Sequence, residues 1–196
     1  MNTPLGQWVE DNAELFRYAS DVKLLKDKAD KILLSGGASA SLAGVYRTLY
    51  PEAEIVAVDE DRALLSDGKS ECTNLVCIEE PFYGYLAENT YDIALSLLVL
   101  QSLDTRELTP YLYNLFDSLK TGGCLYISFP DAVAPTVMKK NLYPSWYSME
   151  EKTYMKYYMA DDVVRALSLI GFGIKAMEAD NNPDLVHVVS LLAIKR

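Results

Sequence analysis

The residues best placed to do chemistry fall in two stretches. KILLSGGASASLA, Lys31 to Ala43, reads as a buried strand, a turn of small residues and then a helix. EIVAVDED, Glu54 to Asp61, reads as a second strand ending in acids, with Asp59 lying 23 positions after Gly36. Small side chains in such a turn let a ligand approach the backbone, because a Cβ would collide with it. A carboxylate about 20 residues on can accept hydrogen bonds from both hydroxyls of a ribose. Together they describe a nucleoside held at the carboxyl ends of two neighbouring strands. The competing readings are a tight turn with no ligand and a solvated acid after a strand.

Other chemistries find little support. His187, the only histidine, lies in the apolar segment LVHVV and reads as a sheet residue. No Ser-His-Asp arrangement is visible. Cys72, Cys77 and Cys124 lack metal-ligand spacing, so no metal site is expected and the thiols read as small core residues in a reducing, cytoplasmic compartment. The formal charge of −10 and the lack of a basic stripe argue against nucleic acid. The longest apolar run, Ile93 to Leu100, is far below the roughly 20 residues that span a bilayer, so no membrane partner is expected. The start MNTPLGQWVEDN has no basic segment and no apolar core of a secretory signal.

The elements that must position these residues alternate along the chain. With 196 residues, half of them apolar, the chain reads as a single domain, 1–196, with one sizeable core. Residues 6–28 read as a helix, with Trp8, Leu15, Phe16 and Leu24 as contacts, so that 1–30 forms a helical cap. Strands are expected at ILLS, EIVAV, NLVCI, DIALSLL and CLYISF. A helix over Ser41–Tyr50 carries Leu42, Val45 and Leu49 on one stripe and stops at Pro51. Another carries Leu112, Leu115, Phe116 and Leu119, with the Thr121–Gly123 segment ending it. Asp161 is expected to cap a last helix that turns Val163, Leu167 and Ile170 inward and ends at Gly171. GFGIKAMEA and LVHVVSLLAI close the chain as strands around the turn Asn181–Asp184. The fold class is therefore α/β, a doubly wound, mostly parallel sheet with helices on both faces.

Taken in order, five blocks resemble the class I (Rossmann-like) S-adenosylmethionine-dependent methyltransferases, in particular the small-molecule branch. ILLSGGASASLA is similar to the first-strand glycine motif and EIVAVDEDRALL to the second-strand block with its ribose-binding acid. YDIALSLLVLQSLD resembles the fourth-strand block. LFDSLKTGGCLYISFP resembles the helix, Gly-Gly turn and fifth strand, and ALSLIGFGIKAME the last helix, Gly-Phe turn and sixth strand. The resemblance covers about Ile32 to Arg196. It implies seven strands in the order 3-2-1-4-5-7-6 with strand 7 alone antiparallel.

The resemblance also implies roles. Gly36, Ala38 and Ala40 stand at the three glycine positions, with Gly37 and Ser39 between them; Leu34 stands where the family carries an acid that helps hold the cofactor's ammonium. Gly36, Gly37, Ala38, Ser39, Asp59, Glu60, Glu80, Ser96 and Leu97 become the candidate cofactor contacts, with Glu80 toward the adenine amino group. Asp92 is expected to be structural. Gln101 and the aromatic insert 130–160, with Tyr143, Trp146 and Tyr147, become the candidate walls for the acceptor; Trp8 or Tyr18 would close the other side. The implied cofactor is S-adenosylmethionine, the product S-adenosylhomocysteine, and the partner a small organic acceptor; no catalytic residue is named. Against this stands a catalytically silent methyltransferase-like domain that binds a protein, motivated by Leu34, Ala38 and Ala40; the exposed-looking tyrosines also suit a homodimer or a protein partner. A nicotinamide dehydrogenase would want G-x-G-x-x-G, which the turn lacks. Transfer of the cofactor's aminopropyl or aminocarboxypropyl arm stays open.

Overall fold

The computed structural model describes residues 22, 23, 25–40, 42–132, 158–179 and 188–196. Seven strands form one sheet: β1 (Lys31–Ser35), β2 (Glu54–Asp59), β3 (Val76–Glu79), β4 (Tyr91–Leu97), β5 (Leu119–Pro130), β6 (Phe172–Ala179) and β7 (Val188–Lys195). Their order is β3-β2-β1-β4-β5-β7-β6. The β1, β2, β3, β4 and β5 pairings are parallel, and β7 runs antiparallel to both its neighbours. This is the order the resemblance implies.

The strands are apolar on both faces because helices cover both. Successive side chains of a strand alternate between faces. Ile32 and Leu34 of β1, Ile55 and Ala57 of β2 and Ile93 and Leu95 of β4 pack on one side, under α1 (Gly37–Ala40), α2 (Ala43–Leu49) and α3 (Arg62–Glu71). Leu33, Val56, Val58 and Ala94 face the other, under α4 (Thr105–Ser118) and α5 (Ala160–Ile170). Each fully buried leucine or isoleucine contributes roughly 1.5–3 kcal/mol. In α4 the stripe Tyr111, Leu112 and Leu115 is buried, and in α5 Val163 and Leu167.

Several boundaries depart from expectation. The helix expected over Ser41–Tyr50 is α2, Ala43–Leu49; a separate single turn, α1, precedes it, and Leu42 between the two is buried. The segment Thr121–Gly123 does not end α4. That helix stops at Ser118, and Leu119, fully buried and extended (φ −78°, ψ 142°), opens β5. The glycines instead lie in an excursion of β5: Leu119 pairs with Tyr91 and Cys124 with Ile93, so two steps of β4 face five of β5. Met159, not Asp161, stands at the N-cap of α5, without a side-chain cap; Asp161 lies in the first turn. Gly171 ends that helix as expected, at φ +126°.

Asp92, the second residue of β4, is a structural acid. Its Oδ2 accepts from the Asp30 and Lys31 amides at 2.9 and 3.1 Å and from Lys120 Nζ at 2.9 Å. The expected N-terminal helix (apart from its last turn), most of the aromatic insert, and the turn at 181–184 with His187 lie outside the described residues.

Candidate functional site

Parallel strands aim their carboxyl ends at the same edge, and a crevice forms where the chain order reverses from β1 to its two neighbours, β2 and β4. A cavity of about 380 Å³ opens there, within the roughly 300–1,000 Å³ typical of small-molecule sites. Gly36 lines it, with Leu97, Leu98 and Val99 of the β4 end, Asp59, Glu60 and Leu64 from the end of β2 and the start of α3, Phe82 and Tyr83 after β3, and Ser102, Leu103 and Glu107 leading into α4.

Asp59 is the buried acid of this cavity, 4% exposed at the end of β2. Its Oδ1 accepts the Asp61 amide at 2.7 Å, which fixes the carboxylate and leaves Oδ2 for a ligand donor. Asp61 turns the other way and caps α3 by accepting from the Ala63 amide. Glu60 lies between them, exposed at the rim.

Gly36 has two reasons to be glycine. Its φ is +86°, and a Cβ there would lie 2.4 Å from Val99 Cγ2. Opposite it, Leu98 also adopts a left-handed backbone, φ +52°, while its amide donates to the Ser128 carbonyl at 3.0 Å. Within the turn, the Ser39 and Ala40 amides donate back to the Gly36 carbonyl. Gly37 and Ala38 lie in the single turn of α1.

Ser39 and Ser96 stand beneath the cavity rather than in its wall. Ser39 Oγ donates to the Ser35 carbonyl at 2.9 Å and accepts the Leu97 amide at 3.0 Å, clamping the ends of β1 and β4. Ser96 is fully buried, and its Oγ lies 2.8 Å from the Tyr111 hydroxyl, which lies 2.9 Å from Ser35 Oγ as well. A phenol has one proton, so Tyr111 donates to one serine and accepts from the other. Burial pushes the Tyr111 phenol up to about 12; Asp59 adds to the rise, and the two serine hydrogen bonds oppose it.

Of the predicted cofactor contacts, the cavity brings together Gly36, Asp59, Glu60 and Leu97. Glu80 is exposed, just past β3, and is not part of the wall. Gln101 lies in a 3-10 turn, Leu100–Ser102, beside the wall; its Oε1 is buried without a hydrogen-bond partner among the described residues. Tyr143, Trp146 and Tyr147 lie outside the described residues.

Phe82, Tyr83 and Glu107 line the site without having been singled out in the sequence. Phe82 meets the Tyr111 ring edge-on, centroids 5.7 Å apart, and the Tyr83 carbonyl accepts from Asn114 Nδ2 at 2.8 Å. The loop after β3 is thus docked on α4. The signal was the PFYG segment: a Pro81–Gly84 turn, closed by a 2.9 Å backbone bond, that presents two adjacent aromatics. Glu107 is held by a capping box at the start of α4. Asp104 Oδ1 accepts the Arg106 and Glu107 amides, and Glu107 Oε2 accepts the Asp104 amide at 2.8 Å. The sequence D-x-x-E announced the cap, but not that its glutamate faces a cavity.

Among the described residues no helix is long and apolar enough to cross a membrane. No group of His, Cys, Asp and Glu among them could hold a metal ion.

No protein-family model and no curated protein sequence matches the chain. Solved structures do. The N-methyltransferase NodS of Bradyrhizobium japonicum, in complex with S-adenosyl-L-homocysteine, superposes with a TM-score of 0.68 at 13% identity, over 95% of this chain and 90% of NodS. Magnesium protoporphyrin IX methyltransferase (ChlM) of Synechocystis, also with bound S-adenosylhomocysteine, gives 0.69 at 17% identity, over 97% and 83%. A SAM-dependent methyltransferase of Methanosarcina mazei gives 0.66 at 13% identity, over 87% and 93%. With the strand order and the single antiparallel strand, these likenesses establish that the chain has the fold of the class I S-adenosylmethionine-dependent methyltransferases.

Proposed function

We propose that this protein is an S-adenosylmethionine-dependent methyltransferase acting on a small organic acceptor. The observation that carries the reading is Asp59: a buried carboxylate at the end of β2, anchored through one oxygen by the Asp61 amide and lining the cavity at the switch point. Such a group suits two adjacent ribose hydroxyls, each a donor. Phe82, Leu64 and Leu97 supply the apolar surface a purine needs. The residues present therefore fit the nucleoside half of the cofactor. Position 34, where the resemblance implies an acid toward the ammonium, is a fully buried leucine, so the described residues favour the nucleoside half.

When bound, S-adenosylmethionine supplies a methyl group on a sulfonium leaving group, with S-adenosylhomocysteine as product. The chain's own part is to hold the nucleoside through Asp59, to orient the acceptor and to exclude water. We place the acceptor against the insert 130–160, under the cap of residues 1–30, with Gln101, Tyr143, Trp146 and Tyr147 as its walls, and treat 1–196 as one domain. We place the protein in the cytoplasm on its three free cysteines and expect no nucleic-acid partner on its charge of −10.

Titration calorimetry with S-adenosylmethionine and S-adenosylhomocysteine tests the reading. Saturable 1:1 heat is expected, with affinity for S-adenosylhomocysteine falling about tenfold or more in Asp59→Asn, as for loss of a charged hydrogen-bond acceptor. No heat from either ligand at millimolar concentration overturns it.

A further inference from the structure

We propose that the cavity at the switch point selects nucleosides that carry no anionic group: it rejects a 5'-phosphate and gives no hold to the carboxylate of the cofactor's amino-acid arm. The inference rests on the cavity being the nucleoside site of the reading above. Three carboxylates line it, Asp59, Glu60 and Glu107, and no lysine or arginine does so among the described residues. Asp59 is buried and Glu107 half-buried, so water does not fully screen either charge. The basic residues beside these acids in the chain lie outside the lining: Arg62 is 85% exposed and stands 4.0 Å from Glu79, and Arg106 is exposed. The chain's charge of −10 adds to the negative field.

An anion that leaves water needs a cation or unspent N–H donors in exchange. Sites that hold phosphate in α/β folds aim backbone amides of the strand-to-helix turn at it. Here those amides are engaged within the protein. The Gly36 amide donates to the Val58 carbonyl at 2.9 Å, and the Ser39 and Ala40 amides donate to the Gly36 carbonyl. At the end of β4 the Leu97 amide donates to Ser39 Oγ and the Leu98 amide to the Ser128 carbonyl, each at 3.0 Å. The Ser102 amide and hydroxyl both donate to the Val99 carbonyl, at 3.0 and 2.7 Å. Among the lining side chains the Tyr83 hydroxyl remains, a neutral donor. A neutral or cationic ligand meets no such penalty.

Calorimetry on the full chain would compare adenosine with adenosine 5'-monophosphate, and S-adenosylhomocysteine with its decarboxylated analogue, at low salt and at about 0.5 M salt. Wild type is expected to bind adenosine about tenfold or more tightly than the monophosphate at low salt, and the gap should narrow at high salt because screening weakens a repulsion between charges. The decarboxylated analogue, which carries a net positive charge, is expected to bind at least as tightly as S-adenosylhomocysteine. Gln serves at the third helical position of a capping box as well as Glu, so Glu107→Gln keeps the cap while removing one charge. It is expected to narrow the monophosphate gap by about threefold at an unchanged unfolding midpoint. Three results would each overturn the inference and leave the methyltransferase reading standing: monophosphate bound as tightly as adenosine, S-adenosylhomocysteine bound more tightly than its decarboxylated analogue, or a gap that neither salt nor Glu107→Gln changes. Absence of binding by all of these ligands and by S-adenosylmethionine overturns both.

Discussion

Gly68 of α3 lies so close to Ala40 that a Cβ on it would meet the Ala40 carbonyl oxygen at 2.8 Å and the Ala40 Cβ at 3.1 Å. Ala40 stands at the third glycine position of the strand-turn-helix motif, where a small residue permits close packing. Here the missing methyl has moved to the facing helix, and the fully buried Ala40 side chain uses the room. Gly68→Ala should therefore cost about 1–3 kcal/mol, the usual penalty of overpacking, because the first obstacle is backbone. Urea unfolding reads it. A variant as stable as wild type would show that α1 and α3 separate at little cost.

Gly36 and Val99 give a second test. Gly36→Ala adds a left-handed alanine to an overlap with Val99 Cγ2 at 2.4 Å. The two penalties are separable. Val99→Ala in the Gly36→Ala background relieves the overlap but not the φ of +86°. Gly36→Ala should cost about 2–4 kcal/mol in wild type but only about 1 kcal/mol, the backbone strain, when measured against the Val99→Ala single variant, whose own truncation cost is thereby removed. No cost against Val99→Ala would mean that the turn can relax its backbone.

The sequence carried the fold further than the site. Alternation of apolar runs and helical stripes was enough for the α/β class and a mostly parallel sheet, whereas the strand order was implied only by the resemblance of the five blocks to the methyltransferase family. The segment Thr121–Gly123 misled because glycines after a helix read as a cap, whereas Leu119 had a buried slot beside Tyr91 that drew the chain into β5 first. Asp59 was legible as a residue of the cavity because it ends β2 beside the switch point. Phe82, Tyr83 and Glu107 were not, because their roles arise only when the loop after β3 docks on α4. Ser39 and Ser96 were legible as residues of the switch point, but a sequence does not tell a side chain that lines a cavity from one that clamps the strands beneath it.

Tyr111→Phe probes that clamp. Removing the hydroxyl leaves Ser35 and Ser96, 2% and 0% exposed, without their shared partner. A loss of about 1–3 kcal/mol is expected, as for orphaned buried hydroxyls. Because the Phe82–Tyr111 ring contact survives the change, the cavity wall should persist, and nucleoside affinity should fall by less than about threefold. Chemical unfolding and calorimetry on the same preparation check both parts. A collapse of affinity at unchanged stability would mean that the hydroxyl itself faces the ligand.

Asp92 sets an acid-dependent share of stability at the opposite end of the sheet. Burial alone would raise its carboxyl, but the Lys120 ammonium and the Asp30 and Lys31 amides outweigh burial, and it titrates below the ordinary carboxylate range. Lys26 faces it too, at 3.8 Å, while Asp30 competes for Lys120 at 3.8 Å. With the folded pKa below the unfolded value of about 3.9, the unfolded state takes up the proton first as pH falls. The contribution is therefore complete above about pH 5 and shrinks as pH drops through 3.9 toward the folded pKa. Asp92→Asn removes it, since an amide cannot act as the anionic acceptor for Lys120. At pH 7 the variant should be less stable by about 2 kcal/mol, the scale of hydrogen bonds to a charged group, and the gap should narrow toward pH 3. Urea denaturation of both proteins between pH 3 and 7 measures it. A gap that stays constant across that range would show that Asp92 acts through packing rather than charge.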